Sequence, residues 1–163
     1  MIVSLRWITE NSLLMAIKYV HTNIVSRDWR RLAEFYIQVF DCEPVPPERD
    51  LSGEWLAKGS GVKQATISGV HLRLPGYGSE GPTLEIYQYA EPEERPTPAA
   101  NRLGIGHMAF LVEDVQEKLT QVLEAGGEAL GEVSSHEISG VGHLTFVYAT
   151  YPEGNILELQ KWD

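Results

Sequence analysis

Apolar and polar positions alternate along residues 16–25, give way to helical spacing from residue 28, and repeat that change of period about eighty residues later. In the first copy the alternation predicts a strand with Tyr19, His21, Asn23 and Val25 on one face and Val20, Thr22 and Ile24 on the other. Apolar residues then fall at Trp29, Leu32, Ala33, Phe35, Tyr36, Val39 and Phe40, the spacing of an amphipathic helix laid on a sheet. The second copy has a strand over 104–112, a helix from Asp114 to about Ala125 and a Gly126-Gly127 stop. In both copies a histidine, His21 or His107, stands in mid-strand ahead of an aspartate, Asp28 or Asp114, placed to N-cap the helix.

The remaining segments complete each copy. Prolines 44, 46 and 47 end the first helix, and the charged, Pro- and Gly-containing stretch to about Gly61 reads as a loop with at most one short strand. Residues 62–74 read as two short extended runs around Ser68-Gly69, followed by a turn over 75–82 and a strand from Thr83 to Tyr89. In the second copy strands are expected near 128–134, 142–149 and 155–162, with Tyr151-Pro152-Glu153-Gly154 as the last turn. The expected organisation is an extension over 1–14 without a counterpart, then one domain over 15–163. That domain comprises a module at 15–90, a proline-rich linker at 91–103 and a module at 104–163. One module alone cannot bury its apolar face, so the two are expected to pack as paired sheets.

Composition narrows the partners. With 163 residues and 43% apolar content the chain can bury a core. A net charge of -10 and no Lys/Arg cluster argue against nucleic acid, leaving a small molecule as the expected substrate. No apolar run approaches the ~20 residues of a membrane helix, and Arg6, Thr9, Glu10 and Asn11 interrupt the start, so no membrane association and a cytoplasmic location are expected. The single cysteine, Cys42, is read as structural, with acidic neighbours opposing its ionisation.

The chemistry rests on four residues in matched positions. His21 and His107 open the two copies, and Glu85 and Glu158 sit in the apolar closing strands 83–89 and 155–162. Alone, each has a bland reading as a structural or solvent-facing residue. A buried carboxylate, however, is unfavourable unless a cation or metal meets it, and the repeat brings two imidazoles and two carboxylates into one register. That donor set, without thiolate, suits a divalent Zn, Ni, Co, Mn or Fe. His71, His136 and His143 lack matching partners and are read as sheet or pocket-wall residues. Tyr19 and Asn23 share strand parity with His21, and Tyr87, Gln160 and Trp162 with the glutamates.

His21-Thr22 leading into Phe35-Tyr36, Gly106-His107-Met108-Ala109-Phe110, and Pro152-Glu153-Gly154-Asn155-Ile156-Leu157-Glu158-Leu159 together resemble the vicinal oxygen chelate superfamily. That superfamily contains glyoxalase I, methylmalonyl-CoA epimerase, extradiol dioxygenases, fosfomycin-resistance enzymes and bleomycin-binding proteins. The resemblance covers Ala16 to Trp162. It implies an α+β fold of paired βαβββ modules forming an open, cupped mixed sheet around a divalent metal. The order His21, Glu85, His107, Glu158 resembles bacterial glyoxalase I, and the epimerases have Gln where Glu85 stands. An isomerase or lyase is therefore expected, acting through an enediolate on a substrate with two neighbouring oxygens, with Glu158 as base opposite Glu85. The alternatives are an antibiotic-binding or resistance protein and an extradiol-type dioxygenase. Val25 and Tyr89 stand where glyoxalase I places the Arg and Asn that hold glutathione, so efficient glutathione-dependent turnover is not expected. A homodimer is the expected assembly.

Overall fold

In this computed structural model, which describes residues 17–94 and 96–163, the repeat becomes two related units. The first runs β1 (His21–Val25), α1 (Trp29–Phe40), β2 (Glu43–Ser52), α2 (Glu54–Ser60), β3 (Thr66–Arg73) and β4 (Thr83–Tyr89). The second runs β5 (Met108–Leu111), α3 (Val115–Glu124), β6 (Glu128–Ala129), β7 (Ser134–Ile138), β8 (Gly142–Thr150) and β9 (Ile156–Trp162). Each unit builds its own mixed sheet, in the order β1-β4-β3-β2 and β5-β9-β8-β6, with β7 also on β8. In each, the opening strand lies parallel to the closing one, β1 on β4 and β5 on β9, and the other pairs are antiparallel. The fold is α+β, two units in one chain built on the βαβββ order, with the added helix α2 in the first and an added strand in the second. Residues 1–14, read as an extension, lie outside the described residues.

The aspartates cap their helices as the sequence indicates. Asp28 Oδ1 accepts from Arg31 N at 3.1 Å and Asp114 Oδ1 from Glu117 N at 2.8 Å, satisfying backbone donors that each helix start leaves open. The apolar stripe of α1 is buried, as are Val115, Leu119 and Val122 of α3. They share one core with Ile24, Val70, Leu72, Leu84 and Ile86 of the first sheet and Val147, Ala149, Leu157 and Leu159 of the second. Phe110 stacks on Phe40 at 4.1 Å between ring centroids, and Tyr151 meets Tyr36 edge-on at 5.7 Å. The modules are thus joined through their helix-bearing faces. His21, Glu85, His107 and Glu158 have the opposite strand parity, so they occupy the faces turned away from this core.

A second tie crosses the modules. The Glu153 carboxylate accepts from the backbone N–H of Arg27, at 3.1 and 2.9 Å, and of Asp28, at 3.1 Å. It anchors the turn between β1 and α1 to the turn before β9. Glu153→Ala is expected to lower stability by about 1–3 kcal/mol, the range for hydrogen bonds to charged groups, read as a reduced urea midpoint at constant m. An unchanged midpoint would show that the tie contributes nothing.

The structure departs from the sequence reading in several places. The strand expected over 128–134 is split into β6 and β7, and β5 begins at Met108, so His107 stands just before its strand, while His21 opens β1 instead of lying in mid-strand. Residues 43–52, read mainly as loop, form the long edge strand β2; it pairs only with β3 and shifts register between Val45 and Arg49, where prolines lacking N–H donors are tolerated. Residues 54–60 form a short helix with no buried residue, so no apolar periodicity announced it. The stretch around Ser68-Gly69 is one continuous strand. A Cβ on Gly69 would lie 2.0 Å from Ile86 O and 2.4 Å from Tyr87 Cδ1, so this glycine admits a crossing aromatic ring and marks no turn.

Candidate metal centre

The two histidine–glutamate pairs arise from the same local geometry. Asn23 lies opposite Glu85 on the parallel pair β1–β4, and His21 is two residues earlier; Ala109 lies opposite Glu158 on β5–β9, and His107 is two residues earlier. His21 Nε2 is 3.4 Å from Glu85 Oε2, and His107 Nε2 is 2.8 Å from Glu158 Oε2. The carboxylates are largely covered, with side chains 14% and 13% exposed, whereas the imidazoles remain open at 38% and 34%. Partly buried carboxylates facing neutral-capable imidazoles are the donors a divalent ion takes.

The structure brings these four residues together as two pairs. No group of three or more donors within 4.8 Å of one another includes His107 or Glu158 among the described residues. Such a group does form on the first sheet, from His21, Glu85 and His71. His71 lies opposite Glu85 on β3, and its Nε2 is 3.0 Å from Glu85 Oε1. Burial pushes the His71 pKa below its ordinary value, outweighing the attraction of Glu85, so the ring favours the neutral form. Around it, Thr83 Oγ1 lies 3.3 Å from His71 Nδ1, Tyr87 OH lies 3.3 Å from Nε2, and Asn23 Nδ2 donates to Glu85 Oε2 at 3.0 Å. Burial first, then its hydrogen bond to Glu85, pushes the Tyr87 phenol up to about 12.

The second pair has different surroundings. Tyr148, and no histidine, stands opposite Glu158, and its ring lies against His107 at 4.9 Å between centroids. Phe146 meets Tyr148 edge-on, and Trp162 Nε1 donates to Gln160 Oε1 at 3.1 Å. His71 and His143 both precede a leucine, but strand register gives Tyr148 as the counterpart of His71. His143 instead pairs with Glu137 at 3.5 Å, and exposed His136 lies on β7 opposite Leu144. No local pattern singled out His71, because its place opposite Glu85 is set by the β3–β4 register.

Two further sequence readings can be placed. Cys42 is buried and its thiol is pushed up to about 12, chiefly by burial and only then by Asp41, so it is inert as a nucleophile at neutral pH. Val25 and Tyr89 line a cleft of about 970 Å³ between the modules. That cleft contains none of the four paired residues and brings Arg27 against Glu94. Among the described residues no helix is long and apolar enough to cross a membrane.

Comparison with known proteins places the fold. A glyoxalase family protein from Bacillus cereus is similar to this chain with a TM-score of 0.74 at 21% identity, over 96% of this chain and 99% of that one. A fosfomycin resistance protein from Listeria monocytogenes, solved with Mn(II) and sulfate, has a TM-score of 0.51 at 12% identity, over 93% and 95% of the two chains. A virulence protein from Salmonella typhimurium has a TM-score of 0.51 at 16% identity, over 90% and 98%. No curated protein matches the sequence. Residues 18–159 match the family described as Glyoxalase/Bleomycin resistance protein/Dioxygenase superfamily, and the chain belongs to that superfamily.

Proposed function

We propose that this protein is a divalent-metal-dependent isomerase or lyase acting on a small substrate with two neighbouring oxygens, and that it works as a homodimer. The observation that carries this reading is the register-matched pair of half-sites, His21 with Glu85 and His107 with Glu158, each on the open face of its sheet. Because both faces turn away from the shared core, one chain offers two halves. A second copy, laying its second sheet opposite the first sheet of its partner, joins them. Exposed apolar residues beside both edge strands support the pairing: Val20 and Val25 at β1, Ile105 and Leu111 at β5.

Zn, Ni, Co, Mn or Fe fits this donor set, with His21, Glu85, His107 and Glu158 as ligands. Held by those residues, a divalent ion would supply the positive charge that favours an enediolate. Glu158 takes the carbon-bound proton while the C–H electron pair passes into the enediolate, then returns the proton to carbon. Glu85, fixed by His21, His71 and Asn23, holds its place during that transfer. Tyr148 and Phe146 form an aromatic wall beside Glu158 that limits water near the exchanging proton.

The test is elemental analysis of protein purified without chelator or affinity histidines and then loaded with Zn, Ni, Co or Mn. On the order of one ion per chain is expected, and His21→Ala and His107→Ala should each weaken binding at least about tenfold. Less than about a tenth of an equivalent in the wild type would instead favour a metal-free binding or resistance protein.

A further inference from the structure

The two halves of the site are unequal. The first sheet presents three candidate ligands, His21, His71 and Glu85, and the second presents two, because Tyr148 occupies the position equivalent to His71. We propose that His71 is itself a metal ligand, so that one chain captures a divalent ion on its first sheet by itself and the His107–Glu158 half completes the site rather than founding it. This rests on the metal-dependent reading above and adds a ligand to it.

The geometry on the first sheet is that of a site already gathered. The two imidazoles bracket one carboxylate, His21 Nε2 at 3.4 Å from Oε2 and His71 Nε2 at 3.0 Å from Oε1. Ligands bound at about 2.0–2.2 Å to a common ion lie about 3–4 Å apart. All three ligand atoms fall within 4.8 Å of one another, near the spacing that ligands on a common ion adopt. The rings stand at 89° with centroids 5.8 Å apart, so they approach the carboxylate from separate directions. They sit on three adjacent strands, β1, β4 and β3, whose hydrogen-bonded register holds the spacing.

The surroundings of His71 fit a ligand. A ligating histidine usually donates its other ring N–H to an oxygen, which fixes the tautomer, and Thr83 Oγ1 stands 3.3 Å from Nδ1 to accept it. That leaves the Nε2 lone pair facing the carboxylate, with the Tyr87 hydroxyl 3.3 Å away. Gly69 makes this possible, because only a glycine there lets the Tyr87 ring lie across β3.

The alternative role is positioning, in which His71 only steadies Glu85, and a cobalt titration separates the two. Co(II) is added to wild type, His71→Gln, His107→Ala/Glu158→Gln and the triple variant, each first shown folded by its urea midpoint. Affinity is read by chelator competition, and bound imidazoles by their paramagnetically shifted N–H proton resonances. His107→Ala/Glu158→Gln is expected to keep about one Co(II) per chain, with two shifted imidazole resonances. Adding His71→Gln should remove one resonance and weaken binding by at least about 10–100-fold, the loss seen even for outer-shell partners. His71→Gln keeps a hydrogen-bond donor toward Glu85, so a positioning role would leave both readouts near wild type. That result, with Co(II) still bound by the wild type, overturns the ligand assignment and spares the four-ligand reading. Loss of binding in His71→Gln but not in His107→Ala/Glu158→Gln upholds the assignment and removes the second pair as ligands. No binding by the wild type overturns both.

Discussion

Glu158→Gln is expected to slow exchange of the substrate's carbon-bound proton by about 10²- to 10⁴-fold, the range lost with a general base, while retaining much of the metal. The amide oxygen can still coordinate but cannot take a proton. The environments of the two glutamates decide which is the base. Glu85 faces His21 at 3.4 Å, His71 at 3.0 Å and Asn23 at 3.0 Å, so both its oxygens are engaged. Glu158 Oε2 is met by His107 at 2.8 Å and, among the described residues, its Oε1 has no polar partner, so that oxygen is the one open to a carbon acid. Glu85→Gln should therefore be milder, since it puts Gln where the epimerases carry it. Proton exchange in D₂O, followed by NMR with an α-hydroxyketone or a 2-substituted acyl thioester as the probe, separates these outcomes. Unchanged exchange in Glu158→Gln would remove that glutamate from the mechanism, and equal losses in both variants would make the carboxylates interchangeable.

Tyr36→Ala should lower stability by about 3–5 kcal/mol, a large part of the roughly 5–15 kcal/mol available to a domain. The Tyr36 side chain is fully buried at the junction of the modules, in ring contact with Phe35, Phe40, Phe110 and Tyr151. Its loss opens a cavity in the aromatic cluster where the two modules meet. Tyr36→Phe tests the same position differently. The hydroxyl is buried without a hydrogen-bond partner among the described residues, and burial pushes its pKa well above the ordinary value. Removing it takes away an unsatisfied polar group, so stability should be unchanged or higher. Urea unfolding of both variants provides the check: a loss above about 1 kcal/mol in Tyr36→Phe would show that the hydroxyl is satisfied.

The sequence carried those features that the chain states twice. Strand parity put His21 and Asn23 on one face and Ile24 on the other, and the structure buries Ile24 while leaving His21 and Asn23 exposed. Asp28 and Asp114 announced the helix starts, and the stripe from Trp29 to Phe40 announced the core face. Features present only once were hard to read. His71 has no histidine counterpart because Tyr148 stands there, and the link to Glu85 runs through strand register, which local pattern does not specify. The prolines of β2 suggested a loop because edge position, which makes them tolerable, is a tertiary fact. That the two His–Glu pairs face away from each other was equally out of reach. It follows from which faces the helices cover, and Phe40 on Phe110 fixes that only once the modules have docked.

The most direct measurement is anomalous diffraction from crystals grown with Zn(II), locating the ion against the side chains of both copies. The composite site predicts one peak per chain, at about 2.0–2.2 Å from donors of His21 and Glu85 in one copy and of His107 and Glu158 in the other. A peak ligated by residues of one chain alone, or no peak near Glu158, would contradict it.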